Sequence, residues 1–430
     1  MPYHSTRNPD HRVDLETAII QGLARDGGLY VPEKIPQISL EEWSSWKELS
    51  YNDLCWRLSE KWFGDEIPSA ELRRMIDEAY FFEPRIKHLK GALFALELFH
   101  GPTLSFKDFG ARMLAQLMNH FAKKSGKKLT ILAATSGDTG VAVASAFADL
   151  EYIQVVILYP QGKVSPFQES QMLSLQGNVR VFAVDGTFDD CQANVKKAFL
   201  DPDLKSTHLT SANSINIGRL IPQCWYYLSA CRQLPTANSQ LPTVFSIPSG
   251  NFGNLAACLL AKMMGAPIGK IIAATNINDI VPHYLTTGEF TPRPSLLTLA
   301  NSMDIGNPSN WERITSWLGN DLQKIREHLI GSKKTDEDIR SSIAKAWKEY
   351  HYALDPHGAV SISAVEDSLN QQPTTSIAVM TGSPYKYREL IEEITGSSFS
   401  DWPRLEASDT QPDPLSNEYT ALKAILSSMS

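Results

Sequence analysis

Cysteine is scarce in this sequence, and the few present suggest neither a bridge nor a metal. Cys55, Cys191, Cys224, Cys231 and Cys258 are odd in number and form no C-x-x-C pair. Buried, reduced thiols are expected, as in a cytosolic protein. The ten histidines show no H-x-x-x-H or mixed Cys/His ligand spacing, so no metal site is expected. No run of basic residues stands out, and the net charge is −8. That balance excludes the electrostatic footprint of a nucleic-acid binder and of an anionic-membrane binder. It leaves an anionic small-molecule substrate open, because a local pocket can oppose the total. There is no G-x-S-x-G to anchor a serine hydrolase. Repeats and low-complexity segments are absent too. The most apolar stretch, LAACLLAKMMGAPIGKIIAA, is broken by Lys262, Gly265, Pro267 and Lys270. It reads as helix, turn and strand, not as a membrane span. The opening MPYHSTRNPDHRVDLE has no apolar centre for a signal peptide, and a cytoplasmic location is expected.

What is present is a chain of 430 residues with 43% hydrophobic and 20% charged residues. That is more than one core usually serves, and two or three domains are expected. From about residue 91, short runs rich in β-branched residues recur: 129–134, 153–159, 179–184, 243–247, 270–275 and 375–380. Between them the spacing turns helical. Phe109, Met113, Leu117 and Phe121 fall every four residues on one face. Val141, Ser145 and Phe147 belong to a second, alanine-rich helix. Alternation of this kind predicts an α/β fold with parallel sheets covered by helices. Residues 1–90, rich in Trp, Glu and Arg, read as a separate helical unit, and 401–430 as a C-terminal surface tail.

Ligands of parallel sheets sit beyond the carboxyl ends of the strands. Three loops there are unusual: ATSGDTG (134–140), PSGNFGN (248–254) and TGSP (381–384). PSGNFGN precedes an apolar helix. Its glycines allow close backbone approach, and successive N–H groups at a helix start make an anion site. It lacks the Lys-Ser/Thr ending of a nucleoside-triphosphate loop. Its plainer reading is a tight turn in which Ser and Asn only cap the helix. ATSGDTG suits a carboxylate or phosphate, or simply caps the next helix through Thr135, Ser136 or Asp138. Thr381 follows a strand directly, and its hydroxyl suits either a ring nitrogen or a cap. In SFKDF, Lys107 stands between Phe106 and Phe109 where a loop becomes a helix. Desolvation there favours the neutral amine that Schiff-base chemistry needs; a solvated helix-start lysine is the bland alternative. SANSINIGRL (211–220) offers Asn213, Ser214, Asn216 and Arg219 for a phosphate, or else a capping loop with Arg219 in a surface ion pair. Lys163 and Ser165, after strand 153–159, add charge to the same pocket or belong to an ordinary solvated loop.

Taken in order, HGPTLSFKDFGARM, LAATSGDTGVAVASAF, SANSINIGRL and SIPSGNFGNLAA resemble the threonine synthase family, in its bacterial and fungal branch. The likeness extends to QGLARDGGLYVPEKIP, ATNINDIVPHYL and DPHGAVSISA, and so across most of the chain. It implies a tryptophan-synthase-β-like fold of type II and pyridoxal 5'-phosphate as cofactor. The implied domains are a large cofactor-binding α/β domain of 91–107 and 222–400 and a small α/β domain of 108–221. Lys107 matches the lysine that carries the cofactor. Ser249, Gly250, Asn251, Phe252, Gly253 and Asn254 match the loop around its phosphate, and Thr381 the hydroxyl at its pyridine nitrogen. Such a neutral partner leaves that nitrogen largely unprotonated. Ser136, Gly137, Asp138 and Thr139, with Thr135, match the loop that takes the substrate carboxylate. Asp138 stands where many relatives carry Asn facing the cofactor 3′-oxygen. The G-S-P at 382–384 departs from an expected A-H-P, so Ser383 replaces a histidine.

The resemblance implies a reaction on O-phospho-L-homoserine. Lys107 would take the α-proton and then a β-proton, phosphate would leave from the γ-carbon, and water would add at the β-carbon to give L-threonine. One movable base suits these transfers. The leaving phosphate needs positive charge and N–H donors, for which Lys163, Asn213 and Arg219 are the candidates. Closure over the substrate would keep water from the early carbanions. The oligomeric state is expected to be monomer or homodimer. The rivals are a serine or threonine dehydratase or a phosphothreonine phospholyase of the same fold, and, from another class, a catalytically silent relative that binds cofactor or partners.

Overall fold

The computed structural model describes residues 1–135, 137–175, 177–234, 242–369, 375–402 and 410–429. The chain divides into two compact units. One gathers Met1–Pro2, Val31–Phe106 and Leu220–Pro403; the other gathers Tyr3–Tyr30, Lys107–Arg219 and Arg404–Ser430.

The first unit is built on a six-stranded sheet. Its order is Leu329–Lys333, Ile268–Thr275, Thr243–Pro248, Ser376–Met380, Leu93–Glu97 and Arg85–Lys90. Five strands run parallel, and Arg85–Lys90 turns back antiparallel at the edge. All five residues of the central Ser376–Met380 strand are buried, as a strand covered on both faces requires. The edge strand RIKHLK is mostly exposed. Its charges discourage pairing with another chain. Helix Pro356–Leu369 packs on three of the strands. Around it Ala95, Ile272, Ala274, Val360 and Ala378 form one buried cluster with Ile339 and Ile343. Helices Tyr51–Phe63 and Ser69–Ala79 pack together, and the first also meets helix Gln223–Gln233, where the Phe63 and Trp225 rings lie edge to face.

The second unit has a five-stranded parallel sheet. Its order is Asp413–Leu415, Val179–Val184, Ile153–Pro160, Leu129–Ala134 and Leu209–Thr210. Helix Lys107–Ser125 buries Phe109, Met113, Leu117 and Phe121, the face marked by their spacing. Helix Asp138–Phe147 is alanine-rich and nearly all buried. The segment set apart in the sequence as a tail supplies the Asp413–Leu415 strand and the helix Tyr419–Ser427. Leu415, Leu422 and Leu426 sit in the unit's core beside Val156, Leu158 and Phe182. The five cysteines are all free and buried. Among the described residues no helix is long and apolar enough to cross a membrane, and no cluster of three acidic, His or Cys side chains is fit for a metal ion.

Candidate active site

In the first unit three neighbouring strands end side by side and launch three loops. Thr243–Pro248 pairs with Ser376–Met380, which pairs with Leu93–Glu97. The segment after Leu93–Glu97 is stitched to the one after Ser376–Met380. Leu98 N donates to Met380 O at 3.0 Å, Phe106 N to Thr381 O at 2.9 Å, and Ser383 N to Leu104 O at 3.0 Å. Leu104 takes a left-handed φ of 55° within this stitch. A bulky residue held there costs energy, and such strain collects at functional sites. The backbone bond from Phe106 to Thr381 fixes the residue before Lys107.

The 249–254 loop is shaped by contacts that leave the helix start uncapped. Ser249 Oγ donates to Ile247 O at 2.9 Å. Asn251 Oδ1 accepts from Ser309 N at 2.6 Å, and Asn251 O accepts from Asn310 Nδ2 at 3.1 Å. The N-cap of helix Gly253–Met263 is Phe252, left-handed at φ 61°, and it offers no side-chain oxygen. Its ring is pinned edge to face by Trp311. The reading of Ser and Asn as mere caps therefore fails, because each is bonded elsewhere. A Cβ at Gly250 would stand 2.7 Å from Met303 Cα, so only glycine fits. Asn254 is buried, with Nδ2 lacking a hydrogen-bond partner among the described residues. An open helix start plus an orphan donor is the chemistry of an anion site, and it fits the cofactor phosphate.

In the second unit Lys107 opens its helix with a side chain only 13% exposed, and its Nζ lies 3.8 Å from Asp138 Oδ2. The bland picture of a solvated helix-start lysine is not what the fold presents. Asp138, also buried, is held from its other side by Gln168 Nε2 at 2.8 Å. Gln168 in turn is set by a capping box with Ser165. Thr135 braces the loop from within, since its Oγ1 accepts from Gly137 N at 3.0 Å and Gly140 N at 2.8 Å. Gly137 holds φ at 144° as N-cap. Thr139 lies in the first turn of the helix. Ser136 lies outside the described residues.

The 211–220 loop differs from a surface cap. Arg219 is 3% exposed, and its Nη1 donates to Ala212 O at 2.6 Å, so it is a buried side chain and not a surface one. Asn216 is structural, with Nδ2 donating to Ile19 O at 2.8 Å and Ser211 O at 3.1 Å. Asn213 N donates to Ser211 Oγ at 3.2 Å, and Asn213 Oδ1 is buried without a partner among the described residues. Turning that amide over presents Nδ2 at the same spot, the orientation a phosphate would select. Lys163 is exposed, its charge solvated.

Sequence reasoning overlooked several supporting groups. Gln168, which steadies Asp138, carries no distinguishing signal in the sequence. Asp355 Oδ2 lies 2.7 Å from His357 Nδ1, and His357 Nε2 accepts from Ser302 N at 3.3 Å. Accepting at Nε2 puts the proton on Nδ1, toward the carboxylate. A Cβ at Gly382 would meet Asp355 Oδ2 at 2.9 Å. That contact accounts for glycine where alanine was expected. Ser383, in the histidine's place, is fully buried and caps the turn Pro384–Tyr387 by accepting from Tyr385 N at 3.3 Å.

Two family profiles cover most of the chain: "Threonine synthase N terminus" over residues 2–80 and "Pyridoxal-phosphate dependent enzyme" over 81–382. The threonine synthase of Escherichia coli strain K12 is 41% identical over 400 residues, covering 93% of this chain and 92% of that protein. The crystal structure of threonine synthase from Escherichia coli superposes with a TM-score of 0.92 at 39% identity, covering both chains fully. That of PLP-bound threonine synthase from Brucella melitensis gives 0.93 at 32% identity, covering 100% of this chain and 99% of that one.

Proposed function

Because the chain belongs to the threonine synthase family of pyridoxal-phosphate-dependent enzymes, we infer that Lys107 carries the cofactor and moves the protons of its reaction. The reaction is elimination of phosphate from the γ-carbon of O-phospho-L-homoserine and addition of water at the β-carbon, giving L-threonine in the last step of its biosynthesis. The observation that carries the assignment to Lys107 is its shielded amine, 3.8 Å from Asp138.

When bound, pyridoxal phosphate supplies an electron-withdrawing ring that eases removal of protons next to the amino acid's nitrogen. The remaining work falls to the chain. Ser249, Gly250, Asn251, Phe252, Gly253 and Asn254 hold the cofactor phosphate with backbone and amide N–H groups. Thr381 presents a hydroxyl to the pyridine nitrogen, and Asp138 stays beside Lys107 with its carboxylate fixed by Gln168. Freed from the cofactor, the Lys107 amine takes the α-proton and then a β-proton; after phosphate leaves, one proton goes to the γ-carbon and one back to the α-carbon, while water gives its hydroxyl to the β-carbon and its remaining proton to the departing phosphate. Gly137 and Thr139, with Ser136 and Thr135, form the loop for the substrate carboxylate. Arg219 is the main countercharge for the leaving phosphate, since a buried guanidinium acts in a lower dielectric than a solvated ammonium. Asn213 adds an N–H donor, and Lys163 adds only long-range charge.

The substrate is a small molecule. We place the enzyme in the cytoplasm as a monomer or homodimer without nucleic acid. Five buried free thiols and the net charge of −8 support that placement.

The test is to incubate cofactor-loaded enzyme with O-phosphohomoserine and, separately, with phosphothreonine, serine and threonine. Equal amounts of threonine and phosphate from phosphohomoserine alone are expected. Keto acid without threonine would point to the dehydratase rival instead. Lys107→Ala should abolish turnover while the cofactor remains bound without a covalent link, visible in its absorption spectrum. Full activity in that variant would remove Lys107 from its role.

A further inference from the structure

Asn254 lies in the first turn of helix Gly253–Met263 and is 6% exposed. Its Oδ1 accepts two hydrogen bonds, from Tyr226 Oη at 2.5 Å and Tyr227 Oη at 2.7 Å. Both tyrosines are fully buried on helix Gln223–Gln233. Its Nδ2, by contrast, is buried with no hydrogen-bond partner among the described residues. A buried donor without an acceptor costs a folded chain stability and calls for an explanation.

The two halves of this amide explain each other. An amide oxygen has two lone pairs, and a phenol has one proton to give. Two phenols on one oxygen fill it. Burial pushes the Tyr227 phenol well above its ordinary range, with the neighbouring Tyr226 adding to the effect, so Tyr227 remains a proton donor. Rotating the amide by 180° would take this acceptor away from both hydroxyls, leaving Tyr226 the longer bond to Gln223 Oε1 at 3.3 Å. Donation into Oδ1 also polarises the amide and strengthens Nδ2–H as a donor.

We propose that Tyr226 and Tyr227 are positioning residues for the cofactor: by filling Asn254 Oδ1 they lock the amide so that Nδ2 donates to the cofactor phosphate. This rests on the reading of 249–254 as the phosphate loop. In this proposal the tyrosines act on the cofactor through one amide.

The test is a double-mutant cycle on the holoenzyme. Tyr226→Phe, Tyr227→Phe and their combination are made with Asn254 intact and with Asn254→Ala. Cofactor dissociation constants and the phosphorus-31 resonance of the bound cofactor are measured, with thermal melting as the check on folding. With Asn254 intact, removing both hydroxyls should weaken cofactor binding about tenfold and move the resonance. In the Asn254→Ala background the same changes should do neither. Equal weakening in both backgrounds, or none with Asn254 intact while Asn254→Ala alone weakens binding, would overturn the proposal and leave the phosphate-loop reading standing. If Asn254→Ala and Gly250→Ala both leave affinity and resonance unchanged, the loop reading and the proposal fall together. Should the double tyrosine variant not fold, each single variant closes its own cycle with Asn254→Ala.

Discussion

Gly137 shows how little freedom one position can have. Its φ is 144°, and a Cβ there would lie 2.6 Å from the Gln168 amide, the group that holds Asp138. Gly137→Ala should therefore lower stability by about 1–3 kcal/mol and raise KM severalfold more than it lowers kcat. Urea unfolding and steady-state kinetics would show both; an unchanged KM would separate this loop from the substrate. Phe252 sets two effects against each other. Replacing it with glycine relieves its left-handed strain, a gain of about 1–2 kcal/mol. It also removes a buried ring packed on Trp311, a loss of about 3–5 kcal/mol. Burial wins, and Phe252→Gly should be less stable by about 2 kcal/mol in the same unfolding experiment. At this scale the sequence was readable where a residue type is itself the signal. Lys107 between aromatics and the glycines of 249–254 stand out by type, though each also allowed a plainer reading. Gln168, Tyr226 and Tyr227 do not stand out, because neither glutamine nor tyrosine is by type a mark of chemistry. Their roles arise from which atom faces which, and spacing carries no such information.

Most of the long buried strands were legible, although Leu93–Glu97, buried at four of its five residues, was not among the runs named. The six apolar runs named from the sequence lie on the strands Leu129–Ala134, Ile153–Pro160, Val179–Val184, Thr243–Pro248, Ile268–Thr275 and Ser376–Met380. Strands at or near the sheet edges escaped notice. RIKHLK pairs on one side only and can stay charged, while Leu209–Thr210 has two residues and no pattern to show. The edge strand Asp413–Leu415 contains a proline, which weakens any strand signal. It also supports a quantitative expectation. Ending the chain at residue 410 would remove the strand and helix that bury Leu415, Leu422 and Leu426. At about 1.5–3 kcal/mol for each buried side chain, the loss exceeds about 4 kcal/mol. Limited proteolysis should then cut within 107–219 much faster than in the full chain. Equal rates would mean that the terminal helix is ornamental.

For the molecule as a whole, one carboxylate should leave a mark on stability against pH. Asp304 accepts hydrogen bonds from Asn276, Asn278 and Thr298, yet burial pushes its carboxyl from 3.8 up to about 6. A raised carboxyl pKa means that the folded state binds the proton more tightly. Its contribution is full below about pH 4 and lost as pH rises through about 6. Asp279 and Glu97, both held low by cationic partners and hydrogen bonds, push the opposite way, so the comparison must be with Asp304→Asn. The stability of the natural protein minus that of the variant should fall by on the order of 1–3 kcal/mol between pH 4 and pH 7. A flat difference would show that water reaches the carboxylate freely.

The place of Ser376–Met380 in the large sheet also bears on how the chain is made. This strand lies between Thr243–Pro248 and Leu93–Glu97, yet it is translated more than a hundred residues after the first and nearly three hundred after the second. During synthesis both neighbours wait with an unfilled edge, and such edges invite pairing with another chain. The second unit's long stretch, by contrast, is complete by Arg219 except for its last strand and helix. Nascent chains halted before residue 376 should thus resist protease over much of 107–219 while the future cofactor cradle stays digestible, and a ribosome stalled there would be the natural client of a chaperone.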